Sequence, residues 1–226
     1  FSEAVSLVSP ETGQSINFKE VSETISENGT KLIETGIERG SSIAIAAPNS
    51  PASCLMFMAI VSSGFVAVPL NLVAGSTILA YTIEHSEAKF IFVADDCRDL
   101  IASAVAQQNN SVKLVKLDPV RGPDLAALPL EVNDLKLEDI KSKANDIALL
   151  MYTSGTTGKA KGAKLCHRNL KTNAEILEKS WKFTERDVLL HMLPTYHTHG
   201  LLVACNLLAM VQGSIIFLPK FNSQDA

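Results

Sequence analysis

The chain has 226 residues, which is enough for one substantial core or two small lobes, and 46% of them are hydrophobic, as is typical of a packed protein. Its formal net charge of −4 provides no general attraction to nucleic acid or to an anionic membrane surface, so neither is expected as a partner. Any anionic ligand must therefore be held by a local site.

The cysteines and the apolar runs narrow the class of protein further. The 4 cysteines are spread along the chain without a C-x-x-C pair, which predicts reduced thiols and an intracellular protein, cytoplasmic or mitochondrial. The most apolar run, residues 201–211, is about half as long as a membrane helix needs to be. No membrane span is therefore predicted.

The first half of the chain alternates helical and strand patterns. Val21, Ile25 and Leu32 recur at helical spacing, whereas residues 90–93 form a short run of aromatic and β-branched side chains. Ser50 followed by Pro51 predicts a helix start, because serine accepts from free N–H groups and proline at the first position loses no hydrogen bond. Helices are predicted over 20–36, 51–62, 76–87 and 97–108, and strands over 43–47, 65–70, 89–94 and 112–117.

A connection with several prolines, residues 118–144, interrupts this alternation, which then resumes. Trp181 and Phe183 are predicted to be core residues. The whole pattern predicts an α/β fold with mostly parallel sheets and flanking helices. We divide it into a first sublobe, residues 1–144, and the start of a second, residues 145–226. In the second sublobe strands are predicted over 147–152, 188–192 and 214–218, and helices over 169–181 and 201–211.

The stretch YTSGTTGKAKG, residues 152–162, leaves the predicted strand 147–152, and a helix is expected only after Lys164. Strand exits are where α/β folds bind ligands. The glycines permit turns in which several N–H groups converge on one anion, and the hydroxyls and lysines add donors and positive charge. The stretch lacks the G-x-x-x-x-G-K-[ST] pattern of a P-loop. On composition alone, a solvated surface loop is the more common outcome for such a run.

The same stretch, followed by AKLCHRNL, resembles the phosphate-binding signature of the adenylate-forming superfamily, which contains acyl-CoA synthetases, luciferases and peptide-synthetase adenylation domains. The usual form reads YTSGTTGxPKG, so Ala160 stands where proline is common. The resemblance implies the N-terminal part of that family's large domain and a loop that wraps the β- and γ-phosphates of ATP. The phosphate-binding residues that it implies are Thr153, Ser154, Gly155, Thr156, Thr157, Gly158 and Lys161.

A second block, LPTYHTHGL at residues 193–201, resembles the family's next signature. It implies that His197 is the catalytic-site histidine that lines the entry of the acyl group and the thiol. Without the family, three histidines in this region suggest a metal site, but no carboxylate or cysteine lies nearby at ligand spacing, so no metal-binding residue is predicted.

Upstream strings extend the resemblance over nearly the whole chain: SINFKEVSE, IAAPNSP and GFVAVPLN match the family's early strands, turns and first helix. Asn49 and Asn71 lie in these strings. Both are predicted to form turns rather than to bind ligands, because asparagine side chains readily hydrogen-bond to the backbone of their own turn.

Residues 180–221 resemble the malonyl-CoA synthetases most closely within the superfamily. The implied reaction joins a carboxylate, malonate in the first place, to the α-phosphate of ATP as acyl-AMP, and then transfers the acyl group to the thiol of coenzyme A. Mg²⁺ and backbone N–H groups neutralise the phosphates. The chain contains no G-x-S-x-G elbow, in keeping with a reaction that needs no side-chain nucleophile. A medium- or long-chain fatty acyl-CoA synthetase is the alternative.

The family's full chain is considerably longer, and its later motifs for adenine, ribose and Mg²⁺, its hinge and its small C-terminal domain have no counterpart in this sequence. The 226 residues are therefore interpreted as a fragment that is expected to be inactive alone. A truncated pseudoenzyme or interaction module, which keeps the loop without the chemistry, is a further alternative. A kinase-like protein is disfavoured because G-x-G-x-x-G and HRD strings are missing.

Overall fold

The computed structural model of the protein describes residues 3–108, 111–131, 137, 140–153 and 160–221. The helices are α1 (Phe18–Ile33), α2 (Pro51–Ser62), α3 (Ser76–Ser86), α4 (Arg98–Val105), α5 (His167–Trp181) and α6 (Leu207–Val211), and a π-helix (His199–Asn206) leads into α6. The strands are β1 (Val5–Ser9), β2 (Gln14–Asn17), β3 (Ser42–Ala46), β4 (Val66–Pro69), β5 (Phe90–Val93), β6 (Lys113–Asp118), β7 (Gly122–Pro123), β8 (Ile147–Thr153), β9 (Lys161–Cys166), β10 (Val188–His191) and β11 (Ser214–Phe217).

The larger sheet has seven strands in the order β7-β6-β5-β3-β4-β8-β9. The five inner strands, β6, β5, β3, β4 and β8, run parallel to one another. The edge strands β7 and β9 pair antiparallel with β6 and β8. Ile43, Val68 and Phe92 on the central strands are fully buried. Strands covered on both faces need apolar side chains on both faces, which explains their continuous apolar sequences. The predicted mostly parallel α/β fold is therefore confirmed.

The smaller sheet has four strands in the order β10-β11-β1-β2, and it joins distant parts of the chain. Leu7 and Val8 of β1 pair in parallel register with Ile215 and Ile216 of β11. The inward face of this sheet packs with Cys54, Leu55, Ala174, Cys205, Leu207 and Leu208. This second core lies beside the larger one and rests on α2, α5 and the π-helix.

The helix starts follow the chemistry of their first residues. Ser50 caps α2, since its hydroxyl oxygen accepts from the Ser53 N–H at 3.2 Å, and Pro51 occupies the first turn as predicted. At α1 the Asn17 side chain accepts from the Glu20 N–H, and the Glu20 carboxylate accepts from the Asn17 N–H, both at 2.8 Å. Such reciprocal capping satisfies two N–H groups that a helix leaves free.

Two predictions about the second half are wrong. Residues 161–166 form strand β9 rather than an irregular lead into a helix, because they pair with β8 along its length. Trp181 is not a core residue: it is 52% exposed at the end of α5 and packs its ring against Phe183, with 5.9 Å between the centroids. An amphipathic helix end presents a large ring to solvent when the neighbouring strand does not cover it.

The sheets do not divide at residue 144. Strands β8 and β9, which follow it, belong to the larger sheet, whereas β1 and β2, near the start of the chain, belong to the smaller one. As a division into sublobes, 1–144 and 145–226 stays a prediction. No helix in the part of the chain that the structure describes is long and apolar enough to cross a membrane.

Candidate functional site

Several turns of the sequence meet at the carboxyl-terminal edge of the larger sheet. Because β3, β4 and β8 are parallel, the residues that follow Ala46, Pro69 and Thr153 leave the sheet at the same edge. This is the edge at which α/β sheets bind ligands. The candidate site is therefore sought here.

The glycine- and hydroxyl-rich loop is carried by an antiparallel hairpin. Tyr152 pairs with Gly162 and Thr153 with Lys161, so residues 154–160 connect two directly paired strands. The Thr153 hydroxyl lies 3.4 Å from the carbonyl oxygen of Lys161, to which it donates. The hairpin thus holds the two ends of the loop together, and the exposed Lys161 lies next to Thr153 on the neighbouring strand.

Close packing inside this hairpin favours glycine at Gly162, because a larger residue would have to displace neighbouring side chains. A Cβ atom at this position would lie 2.9 Å from Cδ1 of Leu150 and 3.3 Å from Cζ of Tyr152. The Tyr152 ring therefore lies across the glycine, and its hydroxyl reaches Nδ1 of His85 at 2.7 Å. Burial, with a smaller contribution from Tyr81, raises the pKa of Tyr152 to about 12, so the phenol is neutral. The contact ties α3 to the loop-bearing hairpin.

A second turn follows β10. The His197 N–H donates to the carbonyl of Pro194 at 3.1 Å, and the Leu201 N–H donates to the carbonyl of His197 at 3.0 Å. A Cβ atom at Gly200 would lie only 2.3 Å from the Pro194 carbonyl oxygen, so only glycine fits there. The imidazole of His197 is exposed and lies at a tilt of 56° to the ring of Tyr196, with 4.7 Å between the ring centroids. The turn presents an accessible imidazole on a tightly folded backbone.

A second histidine of this region, His191, has a structural role. His191 is 1% exposed, and its ring meets Phe217 edge to face at 5.2 Å. Its Nε2 lies 4.0 Å from Sγ of Cys205. Burial lowers the pKa of His191 to about 4, so the ring is neutral near pH 7. Among the described residues, no three His, Cys, Asp or Glu side chains are grouped so that they could hold a metal ion.

The two predicted turn-forming asparagines differ in what they contact. Asn71 accepts from the Val73 N–H at 3.2 Å, which is a turn within its own loop, as predicted. Asn49 is only 8% exposed and reaches away from its own turn. Its Nδ2 donates to the Leu193 carbonyl at 2.8 Å, and its Oδ1 accepts from the Thr195 N–H at 3.0 Å. The amide thus connects the end of β3 to the His197 turn.

One open depression on the described surface, of about 540 Å³, lies at the amino-terminal edge of the larger sheet, where Arg39, Lys141 and His167 are among its lining residues. At the carboxyl-terminal edge a slot of about 10 Å³ lies between the apolar ends of β3 and β4 and the residues Thr195, Tyr196 and Leu201. The slot shows that the His197 turn packs against the ends of these two strands.

Comparison with known proteins decides the family. The sequence profile described as AMP-binding enzyme matches residues 1–226, the whole chain. The chain belongs to the AMP-binding enzyme family. The resemblance to the adenylate-forming superfamily is therefore confirmed.

Individual members of the AMP-binding enzyme family are similar over most of this chain. A sulfoacetate–CoA ligase of Cupriavidus necator is 28% identical over 97% of the chain and 43% of its own length. The mitochondrial malonate–CoA ligase of Homo sapiens is 31% identical over 72% of the chain and 27% of its own length. The crystal structure of ATP-bound MatB from Rhodopseudomonas palustris is 35% identical, with a TM-score of 0.83, over 99% of this chain and 44% of that one. The chain thus spans less than half the length of these relatives.

The structure brings together part of the predicted AMP-binding site. Thr153 and Lys161 face each other at the mouth of the hairpin, and His197 lies on the turn that follows β10. The remaining predicted phosphate-binding residues, Ser154, Gly155, Thr156, Thr157 and Gly158, lie outside the described residues. The roles of all these residues stay predictions.

Sequence reasoning missed the residues that support the two turns. Tyr152 begins the signature, but its partner His85 lies 67 residues earlier, on another element. Asn49 was interpreted as a local turn residue although its partners are 144 and 146 residues away. The sequence signal that could have found it is an amide directly after an apolar strand, because a buried amide needs hydrogen-bond partners.

Proposed function

We propose that the protein containing this chain activates a carboxylate with ATP as acyl-AMP and then transfers the acyl group to coenzyme A. The observation that carries the proposal is the β8–β9 hairpin, which pairs Thr153 with Lys161 at the ligand-binding edge of the sheet and closes the signature loop between them. The proposed enzyme is an AMP-forming acyl-CoA synthetase, because its reaction needs a phosphate-binding loop and no side-chain nucleophile.

The chemistry asks the chain mainly to hold and neutralise phosphates. A carboxylate oxygen attacks the α-phosphorus of ATP while the bond to pyrophosphate breaks, and the thiol sulfur of coenzyme A then attacks the acyl carbon while AMP leaves. In this proposal Lys161 supplies positive charge next to the phosphates, and the signature loop contributes N–H donors to them. His197, accessible on its turn, contacts the entering acyl group or thiol.

The proposed substrate is malonate. Support comes from the human relative, which is a malonate–CoA ligase, and from the resemblance of residues 180–221 to malonyl-CoA synthetases. The relative from Cupriavidus necator is a sulfoacetate–CoA ligase, which makes sulfoacetate the second candidate. Both acids are short and carry a second anionic group on the carbon next to the carboxylate. A dianionic short acid is therefore the proposed class, and a fatty acid remains the alternative class.

Mg²⁺ is the metal expected with ATP, and it neutralises phosphate charge when it is bound. The described residues contain no cluster of three side chains that could hold a metal ion. We therefore assign no residue to Mg²⁺ and expect its ligands to include the phosphates. An intracellular location, cytoplasmic or mitochondrial, stays a prediction, and the cysteines are free buried thiols in the structure.

The test is carboxylate-dependent exchange of pyrophosphate into ATP, measured on the natural polypeptide that contains this chain. Malonate, sulfoacetate, acetate, octanoate and palmitate are compared, and thioester formation with coenzyme A is measured for each active acid. Exchange with malonate or sulfoacetate alone supports the proposed class. Exchange with octanoate or palmitate supports the proposed reaction and indicates a fatty acid as the substrate. Exchange with none of the acids favours the pseudoenzyme.

The phosphate loop is tested in the same assay with a matched pair of lysines on β9. Lys161 pairs with Thr153 at the hairpin mouth, whereas Lys164 pairs with Leu150 further along the same strand, and both are exposed. Lys161→Ala is expected to lower kcat/KM by about a hundredfold, as the loss of one preorganised charge-stabilising group does. Lys164→Ala should leave it within about twofold. Equal effects of the two substitutions remove Lys161 from the site.

A further inference from the structure

The amide of Asn49 makes the most specific long-range polar contact at the carboxyl-terminal edge. It lies just after β3, yet its two polar atoms are used by the turn after β10: Nδ2 donates to the Leu193 carbonyl at 2.8 Å and Oδ1 accepts from the Thr195 N–H at 3.0 Å. A longer contact of 3.5 Å joins Nδ2 to the carbonyl of Leu218, just after β11. A side chain that follows a strand of the larger sheet therefore contacts the residues after two strands of the smaller sheet, β10 and β11.

The two short contacts have the geometry of a backbone pair. A primary amide offers one acceptor and two donors, and here it replaces a neighbouring strand for residues 193 and 195. Asn49 and Thr195 are each 8% exposed, so a group that lost its partner here would be left without water to replace it. No other side chain of similar size provides a donor and an acceptor in this arrangement. Asn49 is therefore selected chemically and not only by its turn.

The segment that Asn49 holds is the one that carries His197. Leu193 and Thr195 flank Pro194, whose carbonyl accepts from the His197 N–H at 3.1 Å. Fixing residues 193 and 195 thus fixes the first backbone bond of the His197 turn. Asn49 lies between β3 and Ser50, the residue that caps α2. Its bonds therefore attach the His197 turn to the larger sheet, which also contains the β8–β9 hairpin.

We propose that Asn49 is a positioning residue, which sets the placement of the His197 turn relative to the β8–β9 hairpin. The proposal rests on the proposed function for its catalytic consequence. Both hydrogen-bonding atoms of the side chain are occupied by the protein backbone, so Asn49 acts through the turn and not by contact with a substrate. These bonds hold residues 193 and 195, and with them the His197 turn, in place before any ligand binds.

Three substitutions separate the parts of this contact, and one provides a control. Asn49→Asp keeps an acceptor for Thr195 but sets a carboxylate oxygen against the Leu193 carbonyl. Asn49→Leu keeps the volume and removes both hydrogen bonds, whereas Asn49→Ala also leaves space. The control is Asn71→Ala, which removes the same kind of side chain from the turn after the adjacent strand β4, where its bond to Val73 is local.

The first measurement is amide hydrogen exchange in the natural polypeptide, which does not depend on any activity. Residues 193–201 should exchange at least about tenfold faster in Asn49→Leu and Asn49→Ala than in Asn71→Ala, because the removed bonds are those that close the turn. Equal exchange in this segment for all variants overturns the proposal. Faster exchange that spreads equally over β3, β4 and β8 also overturns it, since Asn49 would then support the fold in general.

The second measurement separates placement of the turn from damage to the nucleotide site. In the exchange assay with the best carboxylate, kcat/KM should fall roughly tenfold to a hundredfold in Asn49→Leu, as small misplacements of reacting groups do. The Kd for ATP should stay within about twofold, because the hydrogen bonds of Asn49 to described residues go to residues 193, 195 and 218 and not to the β8–β9 hairpin. A parallel rise of the ATP Kd overturns the positioning role.

A cycle with His197→Ala asks whether Asn49 acts through that histidine. The double variant Asn49→Leu/His197→Ala should be no slower than the slower single variant, because misplacing an absent imidazole costs nothing. Independent, additive losses overturn the proposal. If the unsubstituted protein activates no carboxylate, the proposed function fails, and hydrogen exchange alone then decides whether Asn49 holds the turn.

Discussion

The buried histidine at the end of β10, His191, is expected to make the free energy of unfolding decrease as the pH falls. His191 is 1% exposed, and burial lowers its pKa from 6.5 to about 4. The unfolded chain therefore takes up a proton between pH 6.5 and 4 that the folded chain does not. The stabilisation is complete above pH 6.5 and is lost as the pH falls towards 4.

The magnitude follows from the size of this shift. At about 1.4 kcal/mol for each pH unit, the distance from 6.5 to about 4 corresponds to about 3 kcal/mol of stability in total. Most of it, roughly 2–3 kcal/mol, is lost by pH 4.5. This is a large part of the free energy of unfolding of a typical domain.

The assay is urea unfolding of the protein and of His191→Leu at pH 7.5 and at pH 4.5. Leucine fills the site without a titrating group, so carboxylates protonated in both proteins cancel in the comparison. Between the two pH values, the free energy of unfolding is expected to fall by roughly 2–3 kcal/mol more in the unsubstituted protein than in the variant. An equal loss in both proteins refutes the reasoning, and it would mean that water or a rearranged ring accommodates the charge in the folded state.

Two further substitutions test the backbones of the candidate site by thermal or urea unfolding. Gly200→Ala should lower the free energy of unfolding by about 1–3 kcal/mol, because its Cβ would meet the backbone of residues 193–194. Gly162→Ala should lower it less, because the nearest neighbours of the new Cβ are side-chain ends that can move. Equal losses in the two variants would contradict a rigid turn at Gly200. Tyr152→Phe should cost about 1 kcal/mol by removing the bond to His85. The variant that combines Tyr152→Phe with His85→Leu should cost no more than the larger single effect, and additive losses would show that the two rings are uncoupled.

The fold was predictable where one strong pattern decides each element. Helix α2 and the buried strands β3, β4 and β5 are confirmed to within about two residues because burial on both faces leaves continuous apolar sequence, and Ser50-Pro51 marks a helix start. Strand β9 was not predicted because an edge strand needs few apolar residues, and Lys161, Ala163 and Lys164 are exposed. Its pairing with β8 supplies the order that its own composition does not.

The candidate site was predictable only as far as its motifs. Thr153, Lys161 and His197 stand in recognisable strings, and the first two are found as a cross-strand pair. The partners that hold these strings in place, Asn49 and His85, are single residues far away in sequence. One polar side chain leaves no periodic signal, so a pairing over such a distance needs coordinates.

The smaller sheet has a consequence for how the nascent chain folds on the ribosome. Strand β1 lies between β2 and β11, and its parallel partner β11 begins only at Ser214. At about 5–20 residues per second, translation needs roughly 10–40 s to reach β11 after β1 has emerged. During this interval one edge of β1 is open to other strands, while the larger sheet can already assemble up to β9. We therefore expect the β1–β2 ribbon to be the part of the newborn protein that most needs a chaperone.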